Sequence, residues 1–223
     1  MSLRKSIPDF GLLENSMNTT TCDAGHRSEL NDRTAPPSMR SRPTYSSLSP
    51  DMAGTEHLLV IEADALQPGQ ASALSNSFTA IAGALRTVVS GSDLPVPGAS
   101  VQPDLAATLL AVKARLSGAT MQQRVYAIGS EPFIWSIHTA AIEAGLDERQ
   151  IRLCHSGSLK RRVWCTHCHD TTENVTTNIV ACAGCGRHLL VRDHFSRRLG
   201  AFMGVQIDAE VPGEVPTTEE VFP

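Results

Sequence analysis

The chain predicts an α/β fold: an open, largely parallel sheet flanked by helices, followed by a small four-cysteine zinc ribbon. Two observations predict it. Over residues 54–158, short apolar runs alternate with segments of helical periodicity, the pattern of strands joined by crossover helices. Further on, Cys165-x2-Cys168 and Cys182-x2-Cys185 are separated by thirteen residues, which lets two tight turns face each other and present four thiolates to one ion.

The elements follow in chain order. Residues 1–53 are dominated by Ser, Thr, Asn, Pro and Arg, with too few apolar side chains to offset the entropy of ordering, and are expected to be a disordered tail. His57-Leu58-Leu59-Val60-Ile61-Glu62 is a continuous apolar run, expected as a strand buried on both faces. After the Pro68-Gly69 turn, Leu74, Phe78, Ile81, Leu85 and Val88 recur at spacings of four and three, as on an amphipathic helix. Arg86 to Val89 also fits a short second strand, and both readings stand. A loop rich in Gly and Pro covers Ser90 to Ser100. A second helix has Pro103 near its first turn, Leu105, Leu109, Val112 and Leu116 on one face, and Gly118 at its stop. Arg124 to Ile128 is the next strand, Ser130 caps a helix from Glu131 to Ala144 that Gly145 ends, and Gln150 to Cys154 is a last strand. The α/β domain is thus set at 54–158. Open sheets bind ligands at the carboxyl ends of their strands, so Gly129, Ser130 and Glu131 are candidates for a small anion or nucleotide group; a plain strand-to-helix turn is the alternative.

Residues 159–204 form the ribbon. Gly186 after Cys185 suits a knuckle whose amides turn toward sulfur, and Thr171 to Val180 reads as a hairpin arm. Four thiolates near one point repel unless a cation sits among them, so Cys165, Cys168, Cys182 and Cys185 are the expected metal ligands. Zinc is the first choice; a rubredoxin-like iron site or a four-cysteine [2Fe–2S] centre uses the same donors. Cys165-Thr166-His167 matches half of a Rieske ligand box, but its second half would need histidine where the chain has Cys185. His167, His169 and His188 crowd the site as neighbours of a donor set that is already complete. Residues 205–223, acidic and Pro-rich at the end, are expected as a poorly ordered tail.

Composition excludes several functions. The net charge is −4, with residues 1–53 neutral and 54–160 and 161–223 carrying two negative charges each, so no basic face favours nucleic acid. No apolar run reaches the ~18 residues of a membrane span, and no secretory signal opens the chain. Paired CxxC motifs without an export signal point to the cytoplasm, and Cys22 and Cys154 are left as free thiols. No nucleophile elbow, metalloprotease helix or facial triad occurs.

Val125-Tyr126-Ala127-Ile128-Gly129-Ser130-Glu131-Pro132-Phe133, followed by a helix ending Ala144-Gly145 and then Ile151, resembles the last β-α-β unit of ferredoxin-reductase nucleotide domains. Ile128 and Ser130 replace that motif's cysteine and proline, and no Gly-Gly phosphate loop or flavin-holding barrel accompanies it, which implies a partial Rossmann-type module that packs against a partner.

Cys182-Ala183-Gly184-Cys185-Gly186-Arg187-His188-Leu189-Leu190-Val191-Arg192-Asp193-His194-Phe195-Ser196-Arg197-Arg198-Leu199-Gly200-Ala201-Phe202-Met203-Gly204 is similar to the DmmA family, the small subunit of bacterial dimethylamine monooxygenase. The resemblance spans about residues 40–213. It implies an NADPH- and O2-dependent enzyme that demethylates dimethylamine to methylamine and formaldehyde. It also implies partner chains: a haem subunit and a flavin/[2Fe–2S] reductase. From the residues alone, Arg192, Arg197 and Arg198 with Phe202 are candidates for docking onto a partner, since arginine forks suit carboxylates, phosphates and haem propionates. The alternatives are a local Asp193–Arg197 pair, and a helical stripe of Phe195, Leu199, Phe202 and Met203 facing the core.

Overall fold

The computed structural model describes residues 41–92, 94 and 96–223. Strand β1 (Glu56–Glu62) leads through α1 (Gln70–Ser77) to β2 (Leu85–Ser90); β3 (Ser100–Gln102), α2 (Leu105–Leu116), β4 (Gln123–Gly129), α3 (Glu131–Glu143) and β5 (Ile151–His155) follow. These five strands form one parallel sheet in the order β3-β2-β1-β4-β5. That is the order of the first five strands in doubly wound dinucleotide folds. Side chains alternate across β1: Leu58 and Val60 join the core under α2 and α3, while Leu59 and Ile61 face α1 with Phe78 and Tyr126.

The first helix is shorter than its periodicity predicts. It ends at Ser77, a single 3₁₀ turn covers Thr79–Ile81, and Leu85 and Val88 belong to β2. The strand reading of Arg86 to Val89 holds because that segment pairs with β1 from His57 to Glu62. The Gly/Pro loop is followed by β3, where Val88, Val89 and Ser90 supply the backbone partners. Asp104 rather than proline caps α2, accepting the Ala107 N–H at 2.8 Å.

The second sheet comprises β6 (Arg161–Cys165), β7 (Thr171–Val175), β8 (Ile179–Ala181), β9 (His188–Ser196) and β10 (Ala201–Gln206), ordered β7-β6-β10-β9-β8. The expected hairpin across Thr171 to Val180 does not form: β7 and β8 lie on opposite edges, because β6 and β9 offer each a longer partner. Nor is there a helix through Phe195 and Phe202; these residues sit opposite each other on the antiparallel pair β9–β10.

Both chain ends approach the fold more closely than composition suggests. Of the expected tail 1–53, residues 1–40 lie outside the described residues, but Leu48 is buried, Tyr45 Oη contacts Glu131 and Trp135, and Asp51 pairs with Arg124 at 2.8 Å. At the other end, Val221 and Phe222 donate to Thr176 O, and Leu159 donates to Pro223 O. The two sheets meet at α3. Trp135 lies 5.0 Å from Phe195 between ring centroids, its Nε1 donates to Tyr45 Oη at 2.9 Å, and Arg162 Nη2 donates to Ser136 Oγ at 3.1 Å. Burial, reinforced by Glu131, pushes the Tyr45 hydroxyl far up, so it stays protonated at this joint.

Candidate metal centre

Cys165 ends β6 and Cys182 follows β8, so the two CxxC turns project from neighbouring ends of the same sheet. The turns are built alike. His169 N–H donates to Cys165 O and Gly186 N–H to Cys182 O, at 3.0 and 2.9 Å; Cys165 N–H donates to Asp170 O and Cys182 N–H to Arg187 O, both at 2.9 Å. The residue after each second cysteine has positive φ, 67° at His169 and 72° at Gly186. Glycine adopts that conformation freely, whereas histidine gives up about 1–2 kcal/mol. The His169 ring offsets part of this by stacking on Trp164, with centroids 5.1 Å apart and planes inclined by 12°.

The four sulfurs lie within 4.8 Å of one another, with Cys165–Cys185 at 3.9 Å and Cys168–Cys182 at 3.5 Å. An ion bound tetrahedrally through sulfur at about 2.3 Å sets its ligands about 3.8 Å apart, so one ion fits this donor set. Protonation is in conflict without one. Burial opposes ionisation of Cys182, but the amides of Cys185 and Gly184 and the thiols of Cys168 and Cys185 hold it down to about 7. The Asp170 amide favours the Cys168 thiolate, yet burial and hydrogen bonds with Cys182, Cys185 and Cys165 outweigh it and push that thiol up to about 12. The Cys182 thiolate thus forms at the expense of Cys168, and a cation between them would favour both thiolates. His167, His169 and His188 are exposed, and among the described residues this cysteine group is the one with metal-ligand spacing.

The other expected site residues separate. Gly129, Ser130 and Glu131 do lie at the carboxyl end of β4, beside β1, where the strand order reverses. Their donors are turned inward. Glu62 Oε2 accepts the Ser130 N–H at 2.6 Å and its hydroxyl at 2.7 Å, and Glu131 Oε1 accepts from Tyr45 at 2.8 Å. Ser130 holds the N-cap position of α3, but its side chain caps nothing. A Cβ at Gly129 would stand 2.6 Å from the Glu62 side chain. An incoming anion would meet this carboxylate first. Glu62 leaves no trace in sequence, since 68 residues separate it from Ser130.

Arg192, Arg197 and Arg198 are exposed on β9 and the turn after it, without ion pairs among the described residues. Phe202 is corrected: it is 1% exposed and cannot dock a partner, because it faces Phe195 in the joint between the sheets. Asp193 pairs with Arg161 at 2.6 Å rather than with Arg197. Cys154 is buried and is not a free thiol, while Cys22 lies outside the described residues. No helix is long and apolar enough to cross a membrane among the described residues.

The family model for the dimethylamine monooxygenase subunit DmmA-like C-terminal domain matches residues 162–205, and that for the N-terminal domain matches residues 37–151. The heme-dependent oxidative N-demethylase delta subunit of Ectopseudomonas mendocina (strain ymp) is 33% identical over 172 residues, covering 77% of this chain and 91% of the relative. No solved structure matches.

Proposed function

The chain belongs to the DmmA-like family of dimethylamine monooxygenase subunits, and we propose that it serves as an auxiliary subunit of a haem-dependent oxidative N-demethylase. The observation that carries this reading is the relative named as a delta subunit, matched over 91% of its length. In this reading dimethylamine is oxidised to methylamine and formaldehyde with NADPH and O2, in the cytoplasm, at centres held by a haem subunit and a flavin/[2Fe–2S] reductase. The site supports an auxiliary role: among the described residues the metal-spaced group is a set of four cysteines, a closed donor set of the structural kind. Cys165, Cys168, Cys182 and Cys185 would hold zinc, which would supply a cross-link between the two turns and so fix the second sheet. Exposed Arg192, Arg197 and Arg198 would then meet acidic groups of a partner.

Co-expression with candidate haem and reductase subunits, followed by affinity purification, tests the reading. A stoichiometric complex is expected, with dimethylamine-dependent NADPH oxidation by the complex and none by this chain alone. Activity of the isolated chain would overturn it. Metal analysis of the purified chain should give one zinc and no visible absorbance; sulfur-to-iron absorption bands would instead favour an electron carrier.

A further inference from the structure

Arg161 opens β6 and is only 3% exposed. Its guanidinium lies between two aromatic rings, 3.9 Å from the centroid of Phe202 and 3.7 Å from that of Phe222. The rings cover both faces of the planar cation, so acceptors reach it only at its edges. Nη2 donates to Asp193 Oδ1 at 2.6 Å. Nη1 is buried and has no partner among the described residues. A buried charged donor left unpaired is costly, and this one points to an acceptor that none of the described residues provides.

The two rings are held differently. Phe202 belongs to β10 and is fully buried. Phe222 arrives on a C-terminal strap, Glu219 to Pro223, pinned by Asn178 to Glu219, by Thr176 O to Val221 and Phe222, and by Leu159 to Pro223. Every residue from 209 to 220 is exposed, and none lies in a helix or an extended strand. Lifting the strap would uncover Arg161 while β10 stays in place.

We propose that Arg161 is a carboxylate-binding site and that Glu219–Pro223 is its removable cover. A carboxylate is planar and can lie in the plane of the guanidinium, with its oxygens on the Nη1 edge and Phe202 as a floor. Phosphate fits worse. Its tetrahedral oxygens project toward the ring, and its second charge would repel Asp193. The site does not depend on the subunit reading above, because the arginine, the floor and the cover all come from this chain.

The test follows the side-chain N–H resonances of Arg161 in the full chain, in Phe222→Ala and in a chain ending at Thr218. Sodium acetate is titrated against sodium chloride and phosphate at matched ionic strength. The opened variants should show a saturable acetate shift with affinity roughly ten-fold above wild type, the scale of one charge-assisted hydrogen bond. Arg161→Lys in the shortened chain, compared with its Arg161 parent through the backbone amides of Asp193 and Phe202, should show no acetate shift beyond that of chloride, since an ammonium keeps the charge but loses the fork. Equal responses to acetate and chloride, or no gain on opening the strap, would overturn the proposal. So would loss of the second sheet in both opened variants, which would make the strap a structural strand rather than a cover.

Discussion

The strands β1, β2 and β4 are buried along nearly their whole length, whereas β6 and β9 alternate between covered and open positions, and β7 buries only Val175. The parallel sheet is sandwiched between helices and draws its stability from apolar burial on two faces. The second sheet has one covered face, on which Val163, Leu189, Val191, Phe195 and Phe202 join the core shared with α2 and α3. It relies on the four cysteines, on the contact between Phe195 and Trp135, and on an arginine held between aromatic rings. One region carries its cohesion in its own side chains, and the other is suited to receive part of it from an ion.

Replacing one ligand should break that contrast most sharply. Cys182→Ser should release the metal and collapse the second sheet, since structural zinc sites contribute an apparent ~10–16 kcal/mol. Hydrogen exchange should then show lost protection in β6 to β10 and retained protection in β1 and β4. Retained metal would mean that the ligand assignment is wrong.

A smaller, shared effect is expected at the joint. Trp135→Ala should cost about 3–5 kcal/mol and loosen both sheets, while Ile128→Ala, on the face toward α1, should cost about 2–5 kcal/mol and leave metal content unchanged. Denaturant unfolding alongside metal release distinguishes the two variants; identical behaviour would show that the sheets unfold as one unit.

The knuckles permit a finer comparison. Gly186→Ala should destabilise metal-loaded protein by about 1 kcal/mol, because alanine resists the positive φ there. His169→Gly should relieve the same strain but lose the Trp164 stack, leaving a change within about 1 kcal/mol of zero. Thermal denaturation of the two variants side by side decides whether the stack offsets the strain.

The least effect concerns acid. The Arg124 guanidinium and the Ala53 amide hold the Asp51 carboxyl below its usual range. The pair therefore stabilises fully above the unfolded carboxyl value of about 3.9, and that contribution is lost as pH falls through the lower native value. Asp51→Asn should remove about 1 kcal/mol at neutral pH and make unfolding less steep in acid. The metal site should be indifferent to this change at neutral pH, so loss of metal there would tie the N-terminal segment to the second sheet.

Much of the parallel sheet was legible because its strands are continuous apolar runs and its later helices are followed by the positive-φ glycines Gly118 and Gly145. The boundary of α1 was not, since Leu85 and Val88 continue a helical spacing while their backbones find better partners in β1. The same limit hid the pairing of β7 and β8, Glu62 beneath Ser130, and Phe222 against Arg161: each depends on residues distant in sequence, for which spacing carries no information. Composition misjudged residues 45–51 and 219–223, because one well-placed aromatic, Tyr45 or Phe222, anchors a stretch that is otherwise polar.

By itself, the sequence determined the α/β class, the four-cysteine group with metal-ligand spacing and the family, because each is written in local spacing or in contiguous motif. Tertiary structure alone decided that Phe202 is core, that Glu62 occupies the donors at the strand-order reversal, and that Arg161 has a covered, half-paired cation. Burial and hydrogen-bond partnership are properties of three-dimensional neighbours, and for these residues the neighbours come from elsewhere in the chain.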